Sequence, residues 1–181
     1  DITLPEMLYL EIVRSKKAHA RILNVKGGLT AKDLPLNLTS TGESYRRGKD
    51  YEVEPVLAKD KALYYGQPVS AVYDKDRYRA KDLAETVEIS FEELEPVLSI
   101  EESLSSRPIH ENRKDNIVSK FELGKRFSIN SEVKLSDQLY MERVLPNPLE
   151  TRGIVTYYNS GKLNVWISTQ SVYSIKRQAL S

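Results

Sequence analysis

The stretch "PVSAVYDKDRYRAKDLAETVEISFEE", residues 68–93, runs through three periodicities in succession. Val69 to Tyr73 is short and apolar, the signature of a strand, and Pro68 suits its start because proline cannot donate to a ladder. Asp76 can accept from the first free amides of a helix. Ala80, Leu83, Ala84 and Val87 then fall at i, i+3, i+4 and i+7, one helical face, with Lys81 and Glu85 a turn apart on the outside. Val87, Ile89 and Phe91 alternate with Glu88 and Ser90, so a second strand follows at once. The unit is strand–helix–strand, and a crossover of that length predicts parallel pairing.

Upstream, Met7 to Val13 reads as a strand with Leu8, Leu10 and Ile12 on one face, and Ala20 to Val25 reads as another. Gly27-Gly28 marks a turn, and Thr39 to Tyr51 is a polar, glycine-containing loop. Downstream, Ile100 to Leu104 suits a short helix. Residues 106–120 are polar, contain Pro108 and are nearly free of apolar side chains, the composition of an inter-domain linker. Three strands are expected beyond it: Leu139 to Leu145, Ile154 to Tyr158 and Leu163 to Ser168. The last two are joined by "NSGK", a hairpin loop in which Gly161 supplies positive φ. Thr169 and Gln170 then lead into a helical stretch. Residues 1–105 can bury a core of their own; three strands and a short helix after residue 120 do not close a domain.

The 181 residues carry 27 basic and 26 acidic side chains, so net charge offers no attraction to nucleic acid or to an anionic membrane surface. No apolar run approaches the ~20 residues of a membrane span. There is no cysteine, which excludes disulfides, thiolate nucleophiles, iron–sulfur ligation and cysteine zinc sites within these residues and fits a reducing, cytoplasmic setting. The first residue is Asp rather than Met, as in a processed or trimmed chain.

Most candidate chemistries fail on spacing. Gly27-Gly28 lacks the spacing and the Lys-Ser/Thr of a phosphate loop. No Gly-x-Ser-x-Gly elbow exists, and Glu92-Glu93 and Glu101-Glu102 suit a solvated face or a helix start better than an acid/base pair. With only two histidines, His19 and His110, no metal-ligand pattern forms. His19 fits a strand end where it packs and hydrogen-bonds, more readily than an acid/base role. Gln170 differs in kind. Its amide has two donors and an acceptor and carries no charge. At a strand-to-helix corner it either satisfies loop backbone or points into the cleft beyond the strand.

The ordered motifs "LPEMLYLEIVRSKKAHARI", "YYGQPVSAV" with its helix and "VEISFEELEPV", "NPLETRG" and the terminal "STQ" resemble the large, molybdenum-binding subunit of the molybdenum hydroxylases. That family includes xanthine dehydrogenase, aldehyde oxidase and carbon monoxide dehydrogenase. The resemblance is collinear over nearly the whole chain. It implies an α+β chain: an α/β-hammerhead domain at 1–105, a linker at 106–120, and the first strands of a molybdopterin-binding domain at 121–181.

It further implies an oxidoreductase subunit whose complete enzyme oxidises an aldehyde, a heterocycle or carbon monoxide with water-derived oxygen. The cofactor of that enzyme is a molybdenum-pterin. Its partners are the remainder of the large subunit and iron–sulfur and flavin subunits or domains, with no nucleic acid. Gln170 falls on the glutamine that hydrogen-bonds the apical oxo ligand of molybdenum, so it is the cofactor-contacting residue here. No catalytic residue and no metal ligand is expected within the chain, because the glycine-rich cofactor loops and the base-acting glutamate of the family lie downstream of residue 181. This chain alone is therefore expected to be inactive. Glu150 and Arg152 match a family motif and read as a structural pair. Pro146 and Asn147 stand where many members carry histidine. A different class of function is an assembly module, in which the hammerhead fold docks without catalysing and another polypeptide completes the second block.

Overall fold

A computed structural model describes residues 2–34, 55–111, 113–117, 120, 122–124 and 132–179. The loop expected at Thr39 to Tyr51 lies outside them. The chain divides into two compact units, Asp1–Ser119 and Lys120–Ser181.

In the first unit, β1 (Tyr9–Arg14) pairs antiparallel with β4 (Pro68–Asp74), with Leu10 opposite Tyr73 and Ile12 opposite Ala71. A second sheet centres on β2 (Ala20–Lys26), flanked by β3 (Lys61–Ala62) and β5 (Glu88–Glu93), both antiparallel to it. Between β4 and β5 lies α1 (Arg77–Glu85), which packs against β1 and β4. Asp76 caps it as the sequence predicts, accepting from the Tyr78 and Arg79 amides at 2.7 and 3.0 Å. On the apolar face of α1, Ala80 is fully buried while Leu83 is 40% exposed.

The expected parallel crossover does not form. The segments β4 and β5 belong to different sheets. The reason lies at the edges of β4. One edge is taken by β1. On the other, Leu29 exchanges both backbone hydrogen bonds with Ala71, at 2.7 and 2.9 Å. Ser70 Oγ reinforces that contact by donating to the Leu29 carbonyl at 2.9 Å. No slot remains beside β4, so β5 pairs with β2, where Arg21 meets Glu92 and Lys26 meets Glu88.

The close approach at Leu29 explains Gly28. Its φ is +72°, and a Cβ there would lie 2.4 Å from Ser70 Oγ and 2.9 Å from the Ala71 carbonyl oxygen. The core is built from small side chains, among them Ala20, Ala62, Val69, Ala71 and Ala80. Leu8, Leu10 and Ile12 do share a face of β1, but it is solvent-facing; the half-buried positions are Tyr9, Glu11 and Val13.

A short helix, α2 (Ile100–Ser105), forms where expected, with Ser99 Oγ accepting from the Glu102 amide and the Glu102 carboxylate accepting from the Leu98 amide. Beyond it the side chain of Asn116 gathers the chain. Its Oδ1 accepts from the Ile109 amide at 2.8 Å, and its Nδ2 donates to the carbonyls of Ser103 and Arg107. Within the stretch read as a linker, the part around Asn116 is thus fastened to the C-terminal end of α2.

In the second unit, β6 (Ile154–Asn159) and β7 (Lys162–Ile167) form an antiparallel hairpin. Its two-residue turn, Ser160-Gly161, has φ of 49° and 77°, the double positive φ that matches strand twist. Helix α3 (Val172–Ala179) follows. The strand expected at Leu139 to Leu145 is absent. Those residues have no ladder partner among the described residues, and Leu139, Met141 and Val144 are each more than four-fifths exposed. A strand exists only through its neighbours, and none lies beside this segment among the described residues. Among the described residues no helix is long and apolar enough to cross a membrane.

Candidate functional site

The corner between β7 and α3 carries Gln170. The sequence forces a corner here: the alternation of β7 ends at Ile167, and the hydroxyl-rich run Ser168, Thr169, Ser171 favours local side-chain bonds over a continued ladder. Ser168 donates its amide to the Gly153 carbonyl at 3.1 Å, extending the hairpin by one bond. Its hydroxyl donates to Glu150 Oε1 at 2.9 Å. Thr169 Oγ1 accepts from the Ser171 amide at 3.1 Å, and the Ser171 and Ser174 hydroxyls meet at 2.8 Å across the first turn of α3. Gln170 sits between these fixed points with its side chain exposed. A neutral carboxamide so held can donate two hydrogen bonds to a ligand without introducing charge.

The Glu150 carboxylate is engaged by the Ser168 hydroxyl, and among the described residues no ion pair joins it to Arg152. Arg152 is exposed and a serine hydroxyl is within reach of the carboxylate instead. Pro146 and Asn147 lie in the exposed segment before β6.

The other candidates resolve into structural roles. His19 Nδ1 donates to the Glu95 carbonyl at 2.8 Å, while the His19 carbonyl accepts from the Leu94 amide at 2.9 Å. Ring and backbone together tie the start of β2 to the residues after β5, as a packing histidine should. Its Nε2 is buried without a partner. The carbonyl of His110 accepts from the Arg113 amide at 3.1 Å. Glu92 pairs with Arg21 and Glu93 with Lys17, so that acidic pair is spent on the edge of the second sheet.

The perturbed carboxyls are also structural. Asp76 is held below its ordinary pKa by the Arg79 and Tyr78 amides. The Thr30 amide and hydroxyl do the same for Asp33, and Lys61 does so for Glu111. None belongs to the Gln170 corner. Among the described residues no cluster of three His, Cys, Asp or Glu side chains could hold a metal ion.

Sequence reasoning placed Gln170 at the strand-to-helix corner where it stands, but did not see the bonds made by Ser168 and Asn116. The spacing of Ser168 before Thr-Gln held the only signal, and a hydroxyl at a strand end is too common to single out.

The family model for the "Aldehyde oxidase and xanthine dehydrogenase, a/b hammerhead domain" matches residues 1–95. A second, "Molybdopterin cofactor-binding domain", matches residues 109–181. The carbon monoxide dehydrogenase large chain of Afipia carboxidovorans is 33% identical over 97% of this chain, which corresponds to 25% of that protein. The nicotine 6-hydroxylase large subunit of Paenarthrobacter nicotinovorans is 31% identical over 97% of this chain and 24% of its own length. This chain therefore spans about a quarter of the length of these curated relatives. Quinoline 2-oxidoreductase from Pseudomonas putida superposes with a TM-score of 0.51 at 28% identity, covering 66% of this chain and 17% of that one.

Proposed function

This chain belongs to the aldehyde oxidase and xanthine dehydrogenase family of molybdenum hydroxylases, and we propose that it supplies the hammerhead domain and the opening strands of the cofactor-binding domain in the large subunit of a molybdenum-dependent oxidoreductase. The domains run 1–105 and 121–181, joined by residues 106–120. The substrate is an aldehyde, a nitrogen heterocycle or carbon monoxide, the classes on which the relatives act by name.

The observation that carries this reading is the Gln170 corner, a neutral amide exposed at a strand end within the stretch matched to a molybdopterin-binding domain. The residue fits the group. A carboxamide donates to an oxygen, cannot compete for the metal, and adds no charge to a site where electrons come and go. When bound, the molybdenum-pterin supplies two-electron chemistry with oxygen from water. The task of Gln170 is narrower: its side-chain amide would hold the group by donating a hydrogen bond to one of its oxygens. Ser168 and Thr169 hold the backbone from which the amide projects.

The second unit supports the need for further polypeptide. Both outer edges of the β6–β7 hairpin lack strand partners among the described residues, and the preceding segment exposes Leu135, Leu139 and Met141 almost completely. A single hairpin is marginally stable in water. The rest of the large subunit covers those edges, and iron–sulfur and flavin partners in the same cytoplasmic complex carry electrons away. The isolated chain does not turn over.

The test is to purify the tagged chain from its native cell and measure molybdenum and co-purifying polypeptides. A stoichiometric metal content with larger partner chains supports the proposal. A metal-free, monodisperse chain of 181 residues supports the docking-module reading instead.

A further inference from the structure

The geometry points to Glu150 and Ser168 as a positioning pair that sets the direction of the Gln170 amide, an inference that rests on the reading of Gln170 given above. Ser168 is the residue at which β7 stops and the corner begins. Two bonds hold it there. Its amide donates to the Gly153 carbonyl at 3.1 Å, and its hydroxyl donates to Glu150 Oε1 at 2.9 Å. Both acceptors lie on the segment entering β6, across the open end of the hairpin from the Ser160-Gly161 turn. The turn closes one end of β6–β7 covalently. The Glu150–Ser168 bond closes the other, two residues before Gln170.

The backbone bond alone leaves Ser168 free to pivot about a single contact. A second bond from the same residue, aimed at a different acceptor, removes that freedom. On the far side, Thr169 Oγ1 accepts from the Ser171 amide and anchors the start of α3. Gln170 is thus bracketed by a clasp before it and a cap after it, and the clasp is the member reaching outside the corner. Glu150 touches no cofactor in this scheme; it acts through Ser168. A carboxylate is an apt acceptor because its oxygens offer several lone pairs and need no donor of their own.

Amide hydrogen exchange on the complete complex containing this chain, prepared without the cofactor, tests the clasp. Glu150→Ala is expected to speed exchange of the Ser168 amide about fivefold, the factor carried by one net hydrogen bond. Amides near the Ser160-Gly161 turn should be unaffected. Glu150→Gln, whose carbonyl oxygen still accepts from a hydroxyl, should retain wild-type protection, and Ser168→Ala should match Glu150→Ala. An unprotected Ser168 amide in the wild-type complex overturns the inference, and so does equal loosening of the whole hairpin.

In the molybdenum-loaded complex, Glu150→Ala should lower kcat with KM unchanged and shift the Mo(V) paramagnetic resonance signal, and Glu150→Gln should restore both. Unchanged kcat and signal in Glu150→Ala, with a strong defect in Gln170→Ala, overturn the clasp and leave the Gln170 reading intact. A normal Gln170→Ala complex beside a fivefold exchange effect overturns that reading and the clasp's cofactor-positioning role together, leaving only a brace for the corner.

Discussion

Replacing Gly28 with alanine should damage the first unit far more than the same change at Gly66. Both glycines have left-handed backbone, with φ of +72° and +88°. An L-residue in that region costs about 1–2 kcal/mol, and this term is common to the two sites. They differ in what a methyl group would meet. At Gly66 nothing lies within 4 Å. At Gly28 the new Cβ would sit 2.4 Å from Ser70 Oγ, 2.9 Å from the Ala71 carbonyl oxygen and 3.0 Å from Val72 Cγ1. The serine hydroxyl is held by the Gly27 and Leu29 carbonyls, and the Ala71 oxygen is the acceptor for the Leu29 amide. None can retreat without breaking the contact that seals the edge of β4. Overpacking of this kind costs about 1–3 kcal/mol more. The expected losses are about 2–5 kcal/mol for Gly28→Ala and about 1–2 kcal/mol for Gly66→Ala. Urea unfolding followed by far-ultraviolet circular dichroism separates them. With a slope of about 1–3 kcal/mol per molar urea, the two midpoints should differ by about 1 M. Equal midpoints for the two variants would refute the close-approach argument.

Three further outcomes follow from local geometry. Because its capping bonds depress the Asp76 pKa, the capping contribution is complete above the unfolded-state value and fades as pH falls through the lower folded-state value; acid-side urea midpoints should drop less steeply in Asp76→Asn, which still caps. Asn116→Ala removes the side chain that joins Ile109 to Ser103 and Arg107, so it should cost about 2 kcal/mol and expose Arg113 and Lys114 to brief trypsin treatment. Gly161→Ala forces a left-handed alanine into the hairpin turn with open space around it, and a loss of about 1 kcal/mol should appear in the fluorescence of Trp166 on the neighbouring strand.

Local signals were legible wherever a side chain acts on its own backbone. The Asp76 cap, the Ser160-Gly161 turn and the Ile100–Ser105 helix each follow from residues within four positions of one another. The parallel crossover was misread because its outcome depends on Leu29, about forty residues upstream of β4, occupying an edge that periodicity cannot see. The strand expected at Leu139 to Leu145 failed for the converse reason. Its alternation states a preference for pairing, and no pairing edge lies beside it among the described residues. At the candidate site, Gln170 was legible as an uncharged donor at a corner. Its bond-partner neighbours were not, since the Glu150–Ser168 contact spans a whole hairpin whose register had first to be fixed.

The account stands most directly on the amide of Gln170. In the complete molybdenum-loaded complex containing this chain, Gln170→Ala should lower kcat by about 10–100-fold while the molybdenum content per complex stays at the wild-type level. A variant that turns over at the wild-type rate with full metal content contradicts the assignment of that amide to the cofactor.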